Sequence, residues 1–410
     1  MYSVQLRTIA EKHLLPLFSG AELRPELPSS SGDHCVALDD PCTILFKIEP
    51  GDKYRLVLWR SQPFDQVGSG KVTEMKVVEA FIKAVAKIQS GLRETYRDSL
   101  LSTITLEIVA NAIAPQQLRR TFRSALEQLT FWATRLYEGR PITGALGFEN
   151  NSKQKSDVTL SEISQSDFAA VLSNGFDTLL TLNNRGHLIN HEQVKHLDTQ
   201  HGYTPYRQGP IAEWAKGARI AISLNRLGEI LVFKHQQLLF ARRSGKWHFL
   251  THEPVLTQMR HPNDKEIRRA VYESCLDASF ARTGACIGIV TSSHYSQWKK
   301  LVTSEDDHLD KKKSLKAKSI AQILRGEPFQ KLDRRLRQEL LAIDGATLLD
   351  HRGNILAVGA ILKIPGGSVS GGRLAAAKAL SEYGIGIKVS QDGGIRGFRR
   401  GENEPIFSIM

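Results

Sequence analysis

The sequence predicts an α/β protein whose C-terminal domain combines strands and helices, preceded by an α+β region. Three observations carry that expectation. From Ile343 to Arg400 the order is strand, turn, strand, glycine-rich loop, helix, strand. From Asp264 to Val290 a long amphipathic pattern leads straight into a buried-strand run. Between Ile220 and Arg242, short aliphatic runs alternate with turn residues. The reading divides the chain into 1–215, a sensor or partner domain, and 216–410, the C-terminal α/β domain.

Length and composition set the bounds. At 410 residues the chain exceeds one typical domain. Hydrophobic content of 41% and charged content of 24% match an ordinary globular protein rather than a disordered or membrane-embedded one. No run approaches the ~18 apolar residues of a membrane span, and Glu11, Lys12 and His13 stand where a signal peptide would be apolar. Cys35, Cys42, Cys275 and Cys286 show no metal-type spacing, so buried thiols in a reducing cytoplasm are expected. A net charge of +12 favours anionic partners, either nucleotides or nucleic acid.

Each element has its own signal. Val4 to Leu17 reads as an amphipathic helix, and Ala21 to Gly32 as a Pro/Ser-rich loop. Cys42 to Ile48 and Tyr54 to Trp59 read as strands, with Gln62 to Gly70 a loop. Val72 to Gly91 carries apolar residues at helical spacing. Pro115 opens a further helix, where a missing N–H costs nothing, with Leu118, Phe122, Leu126, Leu129 and Leu136 as its stripe. Arg119, Arg120 and Arg123 are assigned to its solvated face. Glu149 to Ser156 reads as an exposed loop, Leu179 to Ile189 as a hairpin around Asn184-Arg185-Gly186, and 198–210, with His201 and Tyr203, as a crossing loop. Ile220 to Leu224, Glu229 to Phe233 and Gln237 to Arg242 read as strands.

The remainder leads to the C-terminal stretch. Asp264 caps a helix through Ala281, Gly284 ends it, and Ala285 to Val290 is a buried strand. Ser304 to Lys318 is acidic, then basic, and reads as a solvated loop with self-pairing as the alternative. Leu332 to Leu341 is a short helix with Leu332, Leu336 and Leu340 inward. Thr347 to Leu349 and Ile355 to Ile364 form a hairpin around Asp350-His351-Arg352-Gly353-Asn354. Gly366 to Gly372 is too glycine-rich for an element interior, Arg373 to Tyr383 is helical, and Ile385 to Val389 is a strand. A glycine-rich loop feeding a helix N-terminus offers unpaired N–H groups to an anion, usually phosphate. Asp344 beside such a cradle suits metal-assisted nucleotide chemistry.

This stretch resembles the diadenylate cyclase (DAC) domain, the nucleotide-binding domain of enzymes that make cyclic di-AMP from two ATP. In that family an Asp-Gly-Ala motif precedes a strand, a Gly-Thr-Arg-His-Arg motif opens a helix, and a Ser-Glu-Glu segment follows the next strand. Asp344-Gly345-Ala346 matches the first in full. Gly371-Gly372-Arg373-Leu374-Ala375 matches the second at its first Gly and first Arg, and Ser390-Gln391-Asp392 is a softened third. The core of the resemblance runs from 264 to 400, and it implies a mixed central sheet flanked by helices.

The resemblance implies Asp344 as catalytic residue and as ligand of Mg²⁺ or Mn²⁺. It implies Gly345, Ala346, Gly371, Gly372, Arg373 and Ser390 as nucleotide-binding residues. It also implies ATP or another adenine nucleotide as partner, and two domains face to face in a homodimer or higher oligomer. Leu374 and Ala375 replace the family's His and second Arg, and neither ligates metal nor neutralises phosphate. Lys378 and the arginines after Gly394, namely Arg396, Arg399 and Arg400, are the candidates to replace the lost charge. The expectation is a cytoplasmic nucleotide-binding or sensing protein with weak or absent turnover. An active diadenylate cyclase is the alternative. A nucleic-acid-binding protein, suggested by charge and the arginine-bearing helix, is the third and less favoured reading.

Overall fold

A computed structural model describes the chain except for residue 1 and residues 66–70, 90–96, 150–155, 165–167, 169–170, 196–201, 261 and 365–370. Most of the predicted loop at Glu149 to Ser156, His201, and the glycine loop up to residue 370 therefore lie outside the described residues. The chain divides into two compact units, Met1–Thr251 and His252–Met410.

In the first unit, α1 (Tyr2–His13) precedes an antiparallel sheet of β1 (Glu22–Pro28), β2 (Val36–Asp40), β3 (Thr43–Phe46) and β4 (Tyr54–Trp59), in the order β1-β4-β3-β2. The predicted loop at 21–32 is thus largely a strand. Its prolines are tolerated because β1 is an edge strand, where a missing N–H need not cost a ladder bond. Helices α2 (Glu74–Gln89), α3 (Arg97–Ile113) and α4 (Arg119–Trp132) follow. On α4, Phe122, Ala125, Leu126, Leu129 and Trp132 form the buried stripe. Leu136, expected to extend it, is exposed in a short hairpin of β5 (Leu136–Tyr137) and β6 (Arg140–Pro141).

A seven-stranded sheet completes the unit: β7 (Gly144–Phe148), β8 (Thr178–Leu182), β9 (Leu188–Gln193), β10 (Ile220–Leu224), β11 (Ile230–Lys234), β12 (Gln237–Arg243) and β13 (Lys246–Phe249). The short helices α5 (Leu160–Ile163) and α6 (Gly209–Trp214) lie in its connections. The order is β13-β12-β11-β10-β7-β8-β9, with β7 and β8 parallel. The division expected at 215/216 moves accordingly. Ile220–Leu224 is hydrogen-bonded along Phe148–Gly144, so residues 220–249 belong to the first unit and the break follows Thr251.

The second unit has α7 (Glu253–Met259), α8 (Lys265–Ala281), α9 (Leu315–Leu324), α10 (Arg334–Ala342) and α11 (Gly372–Ser381). Its sheet comprises β14 (Ala285–Val290), β15 (Ala346–Leu349), β16 (Ile355–Ala360), β17 (Gly384–Val389), β18 (Ile395–Arg399) and β19 (Phe407–Ile409). The order is β16-β15-β14-β17-β18-β19; β14 and β15 are parallel and the other pairs antiparallel. This is the expected mixed sheet flanked by helices. Asp264 caps α8 by accepting from the Glu266 amide at 2.8 Å.

Three local expectations change. Part of the predicted loop at 304–318 is the start of α9, capped by Ser314, which accepts from the Ala317 amide at 3.0 Å. The charge segregation there resolves by self-pairing, Lys313 to Glu305 at 2.6 Å and Lys316 to Asp307. Helix α10 buries Arg334 and Arg337 alongside its leucines. Arg334 forks onto Asp277 of α8 at 2.7 and 3.0 Å, and Arg337 reaches Glu273 at 3.3 Å. Finally, residues 395–399 are a strand, so Arg396 and Arg399 belong to the sheet itself.

The two units repeat one topology. The order β9-β8-β7-β10-β11-β12 matches β16-β15-β14-β17-β18-β19, and the parallel pair falls in the same place. Their turns match in detail. Asn183 Oδ1 accepts from the Arg185 and His187 amides at 2.9 and 3.0 Å; Asp350 Oδ1 accepts from the Arg352 and Asn354 amides, both at 2.8 Å. Gly186 and Gly353 share a φ of 84°. The Asn225 amide donates to Glu229 O at 3.0 Å as the Ser390 amide donates to Gly394 O at 2.8 Å. Counting back from Asn183 and Asp350, Asp177 falls where Asp344 stands.

Candidate functional site

Register gathers the predicted residues at one end of the second sheet. Cys286 pairs with Ala346, and Ala285 with Val389, so the starts of β14 and β15 lie level with the end of β17. Asp344-Gly345 and Ser390 adjoin those positions. Helix α11 runs beside β14. Arg373 Nη1 lies 2.7 Å from where a Cβ on Gly284 would stand, while Leu380 covers Gly288 and the Ala377 carbonyl presses on Gly386. The helix N-terminus therefore opens at the same sheet end. Asp344 is exposed, and Arg373 and Ser390 are partly buried.

Backbone packing fixes Asp344. Gly345 has a φ of 107°, and a Cβ there would lie 2.5 Å from the Gly359 carbonyl carbon. A Cβ on Gly359 (φ 59°) would in turn meet Asp344 O at 2.8 Å. Any side chain at either position would part the two strands. Ala346 is fully buried in the apolar cluster with Cys286 and Ala377. Lys316, in the first turn of α9 rather than in the expected loop, donates to Gly359 O at 3.0 Å on the other side of this contact.

Among the described residues, helix α11 begins without a side-chain cap and without an acidic residue in its first turn. Gly371 and Gly372 are exposed, with nothing among the described residues within 4 Å of an added Cβ. Uncapped first-turn amides and the positive helix end form an anion-binding arrangement. Charge is added from the sheet. Cys286, Lys388 and Arg396 are successive cross-strand partners and share a face, and Cys286 belongs to the cluster packed under α11. Lys388 and Arg396 thus lie on the face that α11 covers, and Arg373 reaches the same sheet end from the helix. The Cys286 thiol, pushed up to about 12 by burial and opposed by the Arg373 cation, stays protonated.

The other replacement candidates lie elsewhere. Arg399 pairs with Ile385 at the far end of β17 and bonds Glu402 at 2.9 Å; Arg400 pairs with Glu382 at 3.3 Å. Lys378 is exposed, 5.9 Å above the Phe398 ring. Leu374 packs against the apolar cluster that includes Leu380 and Phe398.

The residues do not make a resident metal site. Among the described residues no group of three His, Cys, Asp or Glu side chains can hold an ion; the carboxylates near this end are Asp344 and, in the turn after β17, Asp392.

No family model matches the chain, and no curated protein matches it. Among solved structures, a double mutant of DacA from Staphylococcus aureus is similar at 18% sequence identity, over 35% of this chain and 88% of that one, with a TM-score of 0.25. A structure described as the hypothetical membrane spanning protein from Bacillus cereus is similar at 17% identity, over 35% and 74% of the two chains, with a TM-score of 0.23. These likenesses are too slight to assign an activity. Among the described residues of this chain, no helix is long and apolar enough to cross a membrane.

Proposed function

We propose that the second unit binds an adenine nucleotide at the sheet end beside α11 and turns it over weakly or not at all. The observation that carries this is an uncapped helix N-terminus with Arg373 at the sheet end that holds Asp344, on a face that also carries Lys388 and Arg396. Three cations and a helix dipole neutralise phosphate charge. The sequence resemblance to the DAC domain supplies the adenine class. A divalent ion would arrive with the nucleotide, held chiefly by its phosphates with Asp344 as the single protein ligand. The weak turnover follows from Leu374. It occupies the place of a charged clamp, and losing such a clamp costs several kcal/mol in a phosphoryl-transfer transition state, or orders of magnitude in rate. Condensing two nucleotides would in addition need a second copy of the chain facing the first.

Equilibrium dialysis with ATP in Mg²⁺ should show saturable binding that Arg373→Ala or Lys388→Ala weakens about tenfold or more. Absence of binding, or binding indifferent to both changes, overturns the reading. Cyclic di-AMP formed by the unaltered protein with Mg²⁺ or Mn²⁺ would overturn the claim of weak turnover.

A further inference from the structure

The first unit shares the fold of the second but not its openings. At the sheet end equivalent to the candidate site, its own chain fills the space. A Cβ on Gly175 would lie 2.8 Å from Leu224 O and 3.0 Å from Gly144 O, and Ser223 Oγ donates to Gly175 O at 2.9 Å. Asn174 accepts from the Phe176 and Asp177 amides and donates to the Asp177 carboxylate at 2.6 Å, tying up the counterpart of Asp344.

The opposite end of β8 shows the reverse. In the second unit, Gln330 covers the turn at Gly353: its Oε1 stands 2.0 Å from where a Cβ would be, and its Nε2 donates to Arg352 O at 3.2 Å. Phe329 beside it is fully buried. In the first unit the shorter Thr121 covers the equivalent glycine, its Cγ2 3.0 Å from where a Cβ on Gly186 would be and its hydroxyl donating to Asn184 O at 3.1 Å. A cavity of about 780 Å³ lies beside it between α4, the residues around α5, and Asn184-Arg185-Gly186. The cavity belongs to this copy of the fold and is not inherent in its topology.

We propose that this cavity binds a small phosphate ester of a polyol. Arg120 and Arg185 reach it from separate elements, and neither has an acidic partner among the described residues. Its one lining carboxylate, Glu127, is paired with Arg123 at 3.4 Å. Two guanidinium groups without counter-charge select an anion, and their forked donors fit phosphate or carboxylate. Asn184 lines the cavity beside them, and a side-chain amide, which both donates and accepts, matches a hydroxyl-bearing occupant. Serine and threonine hydroxyls line much of the rest, Leu160 is the single aliphatic side chain, and no aromatic ring is present among the lining residues. A stacked base is therefore disfavoured, and a hydroxylated anion of sugar-phosphate size fits. None of this depends on the nucleotide reading of the second unit.

Equilibrium dialysis of the full chain against ribose 5-phosphate, inorganic phosphate and ribose tests the proposal. The ester should bind about tenfold or more tightly than either fragment. Arg120→Gln and Arg185→Gln should each weaken it about tenfold, whereas Arg226→Gln, at another exposed turn, should not. The arginines are exposed, so melting temperatures should hold and the variants remain readable. Absence of ester binding overturns the proposal. So does binding lost in Arg373→Gln but kept in Arg185→Gln, which would place the ester at the other unit's sheet end.

Discussion

Helix α11 rests on β17 with no side chain between them, and that contact gives the sharpest test of the candidate site. Gly386→Ala would place a methyl carbon 1.8 Å from the Ala377 carbonyl oxygen, 2.7 Å from its carbon and 3.1 Å from its Cα. All three neighbours are helix backbone, so no side chain can rotate away. Relief needs the helix to move by about 1.5 Å, given ordinary contact distances of ~3.4 Å or more. Overpacking of this kind costs about 3 kcal/mol at the upper end of its usual range. With a urea slope of about 2 kcal/mol/M, the second unit should lose roughly 1.5 M in midpoint. Hydrogen exchange followed by mass spectrometry across 372–399 would isolate that unit from the other. The shift also carries Arg373 off Gly284 and tilts the helix N-terminus from the phosphates, so ATP affinity should fall roughly five- to tenfold. Unchanged exchange protection together with unchanged affinity would refute the packing argument and the placement of the site.

Further outcomes follow from the same geometry. Gly372→Val adds bulk at the helix entrance where no described residue lies within 4 Å; ATP binding by dialysis should weaken while the melting temperature stays within about 1 °C, and full affinity would show that phosphate does not approach there. Asp277→Asn strips the charge from the partner of buried Arg334 and should cost about 3–5 kcal/mol in a urea melt; a loss below about 1 kcal/mol would mean the guanidinium is not confined as described. Burial, aided by the Arg243 and Lys246 cations, lowers His248 to about 4. Between its ordinary 6.5 and that value the unfolded chain takes up a proton that the folded chain refuses, so stability falls as pH drops through this window, by about 1.4 kcal/mol per pH unit at most. Urea midpoints at pH 7, 6 and 5 should fall less steeply in His248→Gln than in the unaltered protein; parallel slopes would contradict this.

What the sequence disclosed depended on how local each signal was. Strand β14 was legible because six consecutive buried residues stand after Gly284, and α8 because Asp264 marks its start. Asp344, Arg373 and Ser390 were legible as motif fragments, and their common sheet end is set by pairings that agree with the order of elements. Lys388 was missed, and Arg396 could not be told from Arg399 and Arg400, because only the register across β14, β17 and β18 decides which side chains share a face and an end. The domain break was misplaced for a similar reason: β10 finds its partner β7 far upstream, and no composition shift announces it. The repeat emerges only from the sheet order. LLTLNNRGHLI and TLLDHRGNILA each read as a hairpin around Arg-Gly, but their kinship lies in one side-chain oxygen accepting two turn amides, a role Asn183 and Asp350 fill alike.

The buried ion pairs between α8 and α10 act as a ruler. Arg334 and Arg337 sit about one turn apart, and their partners Asp277 and Glu273 are spaced to match. Leucines alone would tolerate a slide of α10 along α8, since one aliphatic contact replaces another. With the charges present, a one-turn slip strands a guanidinium and a carboxylate away from water without counter-charge, at about 3–5 kcal/mol each. Helix α10 ends at Ala342, just before Asp344. How far Asp344 projects from the sheet is therefore graduated by acids on α8, a helix that precedes the first strand of the unit and contributes no residue to the site.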